Sequence, residues 1–181
     1  MSVLGPQLFN LERFQTVRLR AERLSAAHLP QLRQMDRHPQ VMTYLGGARD
    51  DAGLEAYLER NLAHWDRFGY GVWVLHSVEG NAFAGRAVLR HVDVDGSDEV
   101  EVGYGFLPEF WGKGLATEIT HACLGIARDE VGLGSVVALT ALGNAASRRV
   151  LEKAGLRFER QVQHVIGPHA LYRIDFGSGG D

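Results

Sequence analysis

Residues 99–118 read EVEVGYGFLPEFWGKGLATE, a strand-like alternation that runs into a turn and then into the start of a helix. Two glycines, Gly112 and Gly114, stand where that helix should begin, with Lys113 between them. Glycine costs helix stability, so the backbone there must do something that side chains would obstruct. The free N–H groups of the first helical turn point beyond the strand end, an arrangement that suits an anion. The helix dipole adds only about 0.3–1 kcal/mol at an exposed terminus, but backbone donors converging on phosphate oxygens add direct hydrogen bonds.

Three readings of the loop compete. A triphosphate-binding P-loop needs Ser or Thr directly after the lysine to hold magnesium, and here Lys113 is followed by Gly114. A dinucleotide fingerprint needs a third glycine where Thr117 stands, and a strand-helix-strand unit around it. A lone GxG is otherwise a helix start with glycines for close packing, and the loop by itself favours that reading.

Nearer the N-terminus, TVRLRA (16–21) alternates as a strand, and Ser25 can cap a helix through Leu29, Leu32 and Met35. After GGARDD (46–51), Leu54, Leu58, Leu62 and Trp65 recur at helical spacing. The runs VWVLHSV (72–78), FAGRAVLRHV (83–92) and EVEVGYGF (99–106), separated by short polar turns, predict an antiparallel meander. Leu115, Ile119, Cys123 and Ile126 form one apolar helical face, and SVVALTA (135–141) reads as a buried strand. Asn144 caps a helix that carries Val150 and Leu151 and ends near Gly155. LRFERQVQ (156–163) and ALYRIDF (170–176) read as strands around a turn at Gly167 and Pro168. The order predicts an α+β fold with a mixed sheet, about four helices and one domain over residues 1–176, followed by a flexible tail at 177–181.

With 181 residues and 45% apolar content the chain can bury one sizeable core. A net charge of −3 argues against a partner such as nucleic acid held by bulk electrostatics. The single cysteine, Cys123, excludes an internal disulfide and reads as a small buried hydrophobe. No basic start precedes a long apolar segment and no apolar run is long enough to span a bilayer, so the expected location is cytoplasmic, with no membrane partner. Eight histidines show no ligand spacing, so no metal site is expected.

NAASRRVLEKAGLRFE (144–159) breaks the tie over the glycine loop. Together with EVGYGFLPEFWGKGLATE (101–118) it resembles the GNAT superfamily of acyl-CoA N-acyltransferases, in the branch of the RimJ/RimL-type ribosomal-protein N-terminal acetyltransferases. The motifs occur in the same order and at a compatible separation, and weaker likeness at TVRLRAERLSAAHL, HPQVMTYLGG and PHALYRIDF extends it over nearly the whole domain. The resemblance implies an α/β/α sandwich whose mostly antiparallel sheet is splayed at a central strand pair. It also implies acetyl-CoA as co-substrate and an N-acetyltransferase that moves the acetyl group directly to an amine.

Carried onto this chain, the resemblance implies that the backbone of Phe106, Leu107 and Pro108 pairs with the pantetheine arm. The pyrophosphate is implied to sit against Trp111, Gly112, Lys113, Gly114, Leu115, Ala116 and Thr117. Asn144 matches a residue whose amide contacts the cofactor, and it is equally a helix cap. A backbone N–H near Leu107 would polarise the thioester carbonyl. Glu101 of EVGY is the favoured base, with Glu99 two residues earlier on the same strand face; both also fit a solvated charged strand. Where many relatives have a tyrosine that protonates the departing thiolate, this chain has Leu151, so Ser147 is the substitute, with Tyr104 and Tyr172 as further candidates.

Segment 38–65, with Tyr44, Tyr57 and Trp65, lies where family members build the acceptor pocket and is equally ordinary helix core. The acidic turn 93–99 could attract a cationic acceptor or simply be solvated. The acceptor is then a primary amine, on a protein N-terminus or a small molecule, and family members often form homodimers. The rival readings are a non-catalytic acyl-CoA-binding sensor and a nucleotide-binding enzyme.

Overall fold

The computed structural model describes residues 11–177, so the readings of the first ten residues and of the tail 178–181 lie outside the described residues. Its strands are β1 (Arg13–Gln15), β2 (Leu19–Arg23), β3 (Val72–Ser77), β4 (Phe83–Val94), β5 (Ser97–Phe106), β6 (Ser135–Ala141), β7 (Arg157–His164) and β8 (Gly167–Asp175). The α-helices are α1 (Leu29–Asp36), α2 (Pro39–Met42), α3 (Asp51–Phe68), α4 (Leu115–Gly125) and α5 (Ala145–Lys153). The strands make one sheet in the order β1-β2-β3-β4-β5-β6-β8-β7. Every neighbouring pair is antiparallel except β5 and β6, which are parallel and share a single register pair, Glu101 with Val137. Beyond Glu101 the two strands part, which is the expected splay.

Helices cover both faces. Leu32 of α1 and Leu54, Tyr57 and Leu58 of α3 pack on Val72, Val74 and Val88. Leu115, Ile119 and Cys123 of α4 and Leu151 of α5 pack on Leu89, Val102 and Phe106 on the other side. Each large apolar side chain so buried stabilises the fold by about 1.5–3 kcal/mol. Helix α3 starts at Asp50, whose Oδ1 accepts from the Gly53 N–H at 2.7 Å, and stops at Gly69 in the left-handed region.

At four places the chain departs from the local pattern expected of its sequence. The first strand is a hairpin of β1 and β2, because Thr16 turns the chain: its N–H donates to Leu19 O and its Oγ1 accepts from the Leu19 N–H. Ser25 precedes a 3₁₀ turn, Ala26–His28, and its N–H donates to His28 Nδ1, so it does not cap α1 directly. The one-turn helix α2 has no signature in the sequence, since four residues are too few to show a helical period. Between β7 and β8 the turn falls at Val165 and Ile166, and Gly167 and Pro168 belong to β8.

Two glycines set the spacing beside the splay. A Cβ on Gly85 would lie 2.0 Å from the Gly105 carbonyl oxygen, and a Cβ on Gly105 would lie 2.4 Å from Met35 Cε. Their absence lets β4 close on β5 and lets α1 seat over the end of β5.

Candidate active site

The parting of β5 from β6 opens a cleft of about 1000 Å³ that passes through the sheet. Strand alternation gives it two sides. Glu101, Gly103 and Gly105 face α1–α3 together with Arg86, Val88 and Arg90, which stand opposite them on β4. Tyr104 and Phe106 face α4 and α5. Residues Tyr44 and Gly46 approach Gly143 and Ile166 respectively, so segment 43–46 spans the cleft between the β6–α5 loop and the β7–β8 turn.

Of the residues singled out in the sequence, Glu101, Phe106, Trp111, Gly112, Gly114, Leu115, Ala116, Thr117, Asn144 and Ser147 line this cleft. Glu99, Leu107 and Lys113 do not. Glu99 is held by Arg173, 2.8 Å from its Nη2. The Lys113 ammonium lies over the Phe110 ring, 5.7 Å from its centre.

Leu107 is buried and its N–H donates to Ala84 O at 2.9 Å, which removes it as the carbonyl-polarising donor. The neighbouring acceptors are also committed. Leu107 O accepts from the Phe110 N–H, Pro108 O from the Trp111 N–H and Phe106 O from Trp111 Nε1. Alternation leaves the N–H groups of Tyr104 and Phe106 turned toward the gap left by β6.

The glycine loop does not owe its glycines to packing. Gly112 and Gly114 have φ of +70° and +76°, a left-handed conformation that side chains resist, and a Cβ on Gly112 would meet nothing within 4 Å. Gly114 ends the loop as the residue before α4, and no side chain caps the helix. The first N–H groups of α4 are therefore presented at the cleft.

Arg18 braces this loop from β2's approach. Its Nη1 donates to Lys113 O at 2.6 Å and its Nε pairs with Glu118 Oε2 at 2.7 Å. Arg18→Ala is expected to raise the dissociation constant for acetyl-CoA about three- to tenfold without unfolding the protein; titration calorimetry checks it, and an unchanged constant removes Arg18 from loop positioning.

On the α4–α5 side, Tyr104 Oη and Ser147 Oγ share a hydrogen bond of 3.1 Å. Burial raises the Tyr104 pKa, so the phenol keeps its proton through neutral pH, although the bond to Ser147 works the other way. Asn144 caps α5 by accepting the Ser147 N–H at 3.1 Å. Leu151 lines the cleft with no proton to give. Tyr172 is fully buried outside the cleft, accepting from Arg148 Nε and donating to Glu152 Oε1, which removes it as a thiolate acid.

On the α1–α3 side, Glu101 Oε1 accepts from Arg90 Nε at 2.8 Å and its side chain is 14% exposed. His164, which sequence reading passed over, also lines the cleft, and its Nδ1 is buried without a hydrogen-bond partner. Burial, with His169 next, lowers its pKa, so the imidazole stays neutral at pH 7 and can accept a proton. Tyr44 and Tyr57 line the cleft, whereas Trp65 is buried in the core, donating to Val72 O. The acidic turn is spent elsewhere: Asp95 pairs with Arg160, Asp98 with His91 and Glu99 with Arg173. It lies at the far end of the β4–β5 hairpin and does not line the cleft.

Cys123 is fully buried and burial pushes its thiol up to about 12, which excludes it as a nucleophile. Among the described residues no helix is long and apolar enough to cross a membrane.

A split sheet, left-handed glycines and an uncapped helix start facing the split make a frame suited to a long phosphate-bearing cofactor laid across the strands. Residues 18–157 match the acetyltransferase (GNAT) domain, and the chain belongs to that family of acetyl-CoA-dependent acetyltransferases, which act on amine acceptors. It is 30% identical over 134 residues to the uncharacterised YkkB of Bacillus subtilis, covering 74% of this chain and 78% of YkkB. It is also 30% identical over 150 residues to the FsC-acetyl coenzyme A-N(2)-transacetylase of Aspergillus fumigatus; the match covers 78% of this chain and 63% of that protein. RimL, a ribosomal L7/L12 alpha-N-protein acetyltransferase solved in complex with coenzyme A, shares the fold with a TM-score of 0.76 at 15% identity, over 91% of this chain and 98% of RimL.

The cleft suits acetyl-CoA on its own features. The α4 N-terminus and the left-handed loop supply donors for a pyrophosphate, and the free edge of β5 supplies pairing groups for an amide-bearing arm.

Proposed function

We propose that this protein transfers the acetyl group of acetyl-CoA directly to a primary amine, as a cytoplasmic enzyme of the RimJ/RimL-type branch formed by one domain over residues 1–176. The observation that carries this reading is the placement of Glu101 and Tyr104 on opposite faces of the split strand β5, both lining one cleft. The amine approaches from the α1–α3 side, where Glu101, held by Arg90, takes its proton directly or through water, with His164 as a second acceptor. The N–H groups of Tyr104 and Phe106 polarise the thioester carbonyl. As the C–N bond forms and the C–S bond breaks, Tyr104 gives its proton to the thiolate and recovers one through Ser147. Asn144 fixes the start of α5, and with it Ser147. Trp111, Gly112, Gly114, Leu115, Ala116 and Thr117 hold the pyrophosphate by backbone donors, and Lys113 contributes through its carbonyl link to Arg18.

The test is an acceptor library of N-terminal peptides and small amines in which CoA release is followed. Turnover on at least one class is expected; acetyl-CoA binding with no turnover on any amine overturns the reading in favour of a sensor. Glu101→Gln is expected to lower kcat/KM about tenfold at pH 7. With an α-amine, whose pKa is near 7.7–8.0, the deficit should shrink above about pH 9, where the acceptor is already neutral. A wild-type value at pH 7 removes Glu101 as base.

A further inference from the structure

The α1–α3 side of the cleft is lined by four arginines, Arg49, Arg60, Arg86 and Arg90. Two carboxylates answer them. Glu101 takes Arg90, and Asp36, 1% exposed, lies 2.7 Å from Arg49 Nη1 and 3.9 Å from Arg86 Nη1. Four guanidinium groups against two carboxylates leave two positive charges in excess around this half of the cleft.

Two of the groups there are buried donors with capacity to spare. Arg86 is 5% exposed and its Nη1 makes no hydrogen bond, only the long ion pair to Asp36; Tyr57 is 2% exposed and its hydroxyl stands beside Arg90, which can only donate to it and so leaves the phenol proton free to give. The guanidinium carbons of Arg49 and Arg86 lie 4.4 and 4.8 Å from the centre of the Tyr57 ring, which draws the three side chains into one cluster. On β5 the residue opposite Arg86 is Gly105, so no β5 side chain covers it. Buried donors short of a hydrogen bond are costly, and a planar guanidinium fork matches a carboxylate better than any neutral group.

We propose that the acceptor is a small amine that also carries a carboxylate, seated on Arg86 and Arg49 with the Tyr57 hydroxyl as a third donor, and with its amino group toward Glu101. This rests on the acetyl-transfer reading for its chemistry, but the carboxylate seat can be measured without turnover. A cationic acceptor such as a polyamine is disfavoured by the same excess charge.

The experiment titrates the full chain, saturated with CoA so that cofactor phosphates are already in place, with the standard amino acids and their carboxamides as matched pairs. At least one acid is expected to bind about 10- to 100-fold more tightly than its amide. Arg86→Gln and Arg49→Gln are expected to bring that ratio within about threefold. Because Arg86→Gln leaves the buried Asp36 with Arg49 alone and can fail to fold, the exposed Arg60→Glu provides a second variant, expected to cut the ratio about threefold or more. Equal binding of acid and amide by the wild type overturns the proposal, as does binding of neither or an unchanged ratio in folded variants. Acid-selective binding that is lost in the variants, with no CoA release in the presence of acetyl-CoA, would leave the carboxylate seat standing and sink the acetyl-transfer reading instead.

Discussion

Gly114→Val is expected to raise the dissociation constant for acetyl-CoA by 100-fold or more while the protein still folds. At φ +76° a side chain costs about 1–2 kcal/mol, and a β-branched one more, so the loop relaxes toward negative φ. That relaxation re-aims the first N–H groups of α4. Loss of two hydrogen bonds to a charged phosphate at about 1.5–3 kcal/mol each exceeds the 2.7 kcal/mol that a 100-fold change requires. Strain of about 2 kcal/mol lowers Tm by only about 4–8 °C in a chain of this size. Calorimetry and thermal melting separate the two effects. Gly114→Ala, with less strain, should fall between, and an affinity within threefold of wild type in the valine variant would remove the loop from phosphate binding.

The second large effect is expected at Tyr104. Tyr104→Phe keeps the ring and its packing against the α4–α5 side but removes the hydroxyl bonded to Ser147. A positioned general acid contributes about 10²–10⁴ in rate, so kcat should drop about 100-fold with acetyl-CoA affinity changed less than twofold. Ser147→Ala should lower kcat about tenfold, and the double variant should be no slower than Tyr104→Phe, because the two act as one relay. The acid works protonated and burial raises its pKa, so the wild-type rate should not decline through loss of this proton below about pH 10. A parallel rise in KM and fall in stability, with kcat intact, would mark Tyr104 as packing alone.

Much of this was legible in the sequence because it is local. The meander, the glycine loop and the Asn144 cap each rest on residues within a few positions of one another, and two motifs in series named the fold. What stayed hidden depends on long-range placement. Tyr104 and Ser147 are 43 residues apart, and nothing in either segment indicates that α5 docks beside β5. Arg86 and Asp36 come together only because α1 crosses the sheet over β4 and β5. The Arg90–Glu101 pair was within reach: a hairpin turning at Asp95 and Gly96 fixes its own register and sets those two opposite each other. Leu107 misled because an extended residue after a strand looks free until its partner, Ala84, is known.

The buried state of Cys123 carries over to measurement. With its thiol pushed up to about 12 and no exposure to solvent, the folded chain offers nothing to a thiol-seeking dye. Each sulfhydryl that turns up in a reaction mixture therefore counts one acetyl group moved, and a dye signal from the protein alone would announce that it had begun to unfold.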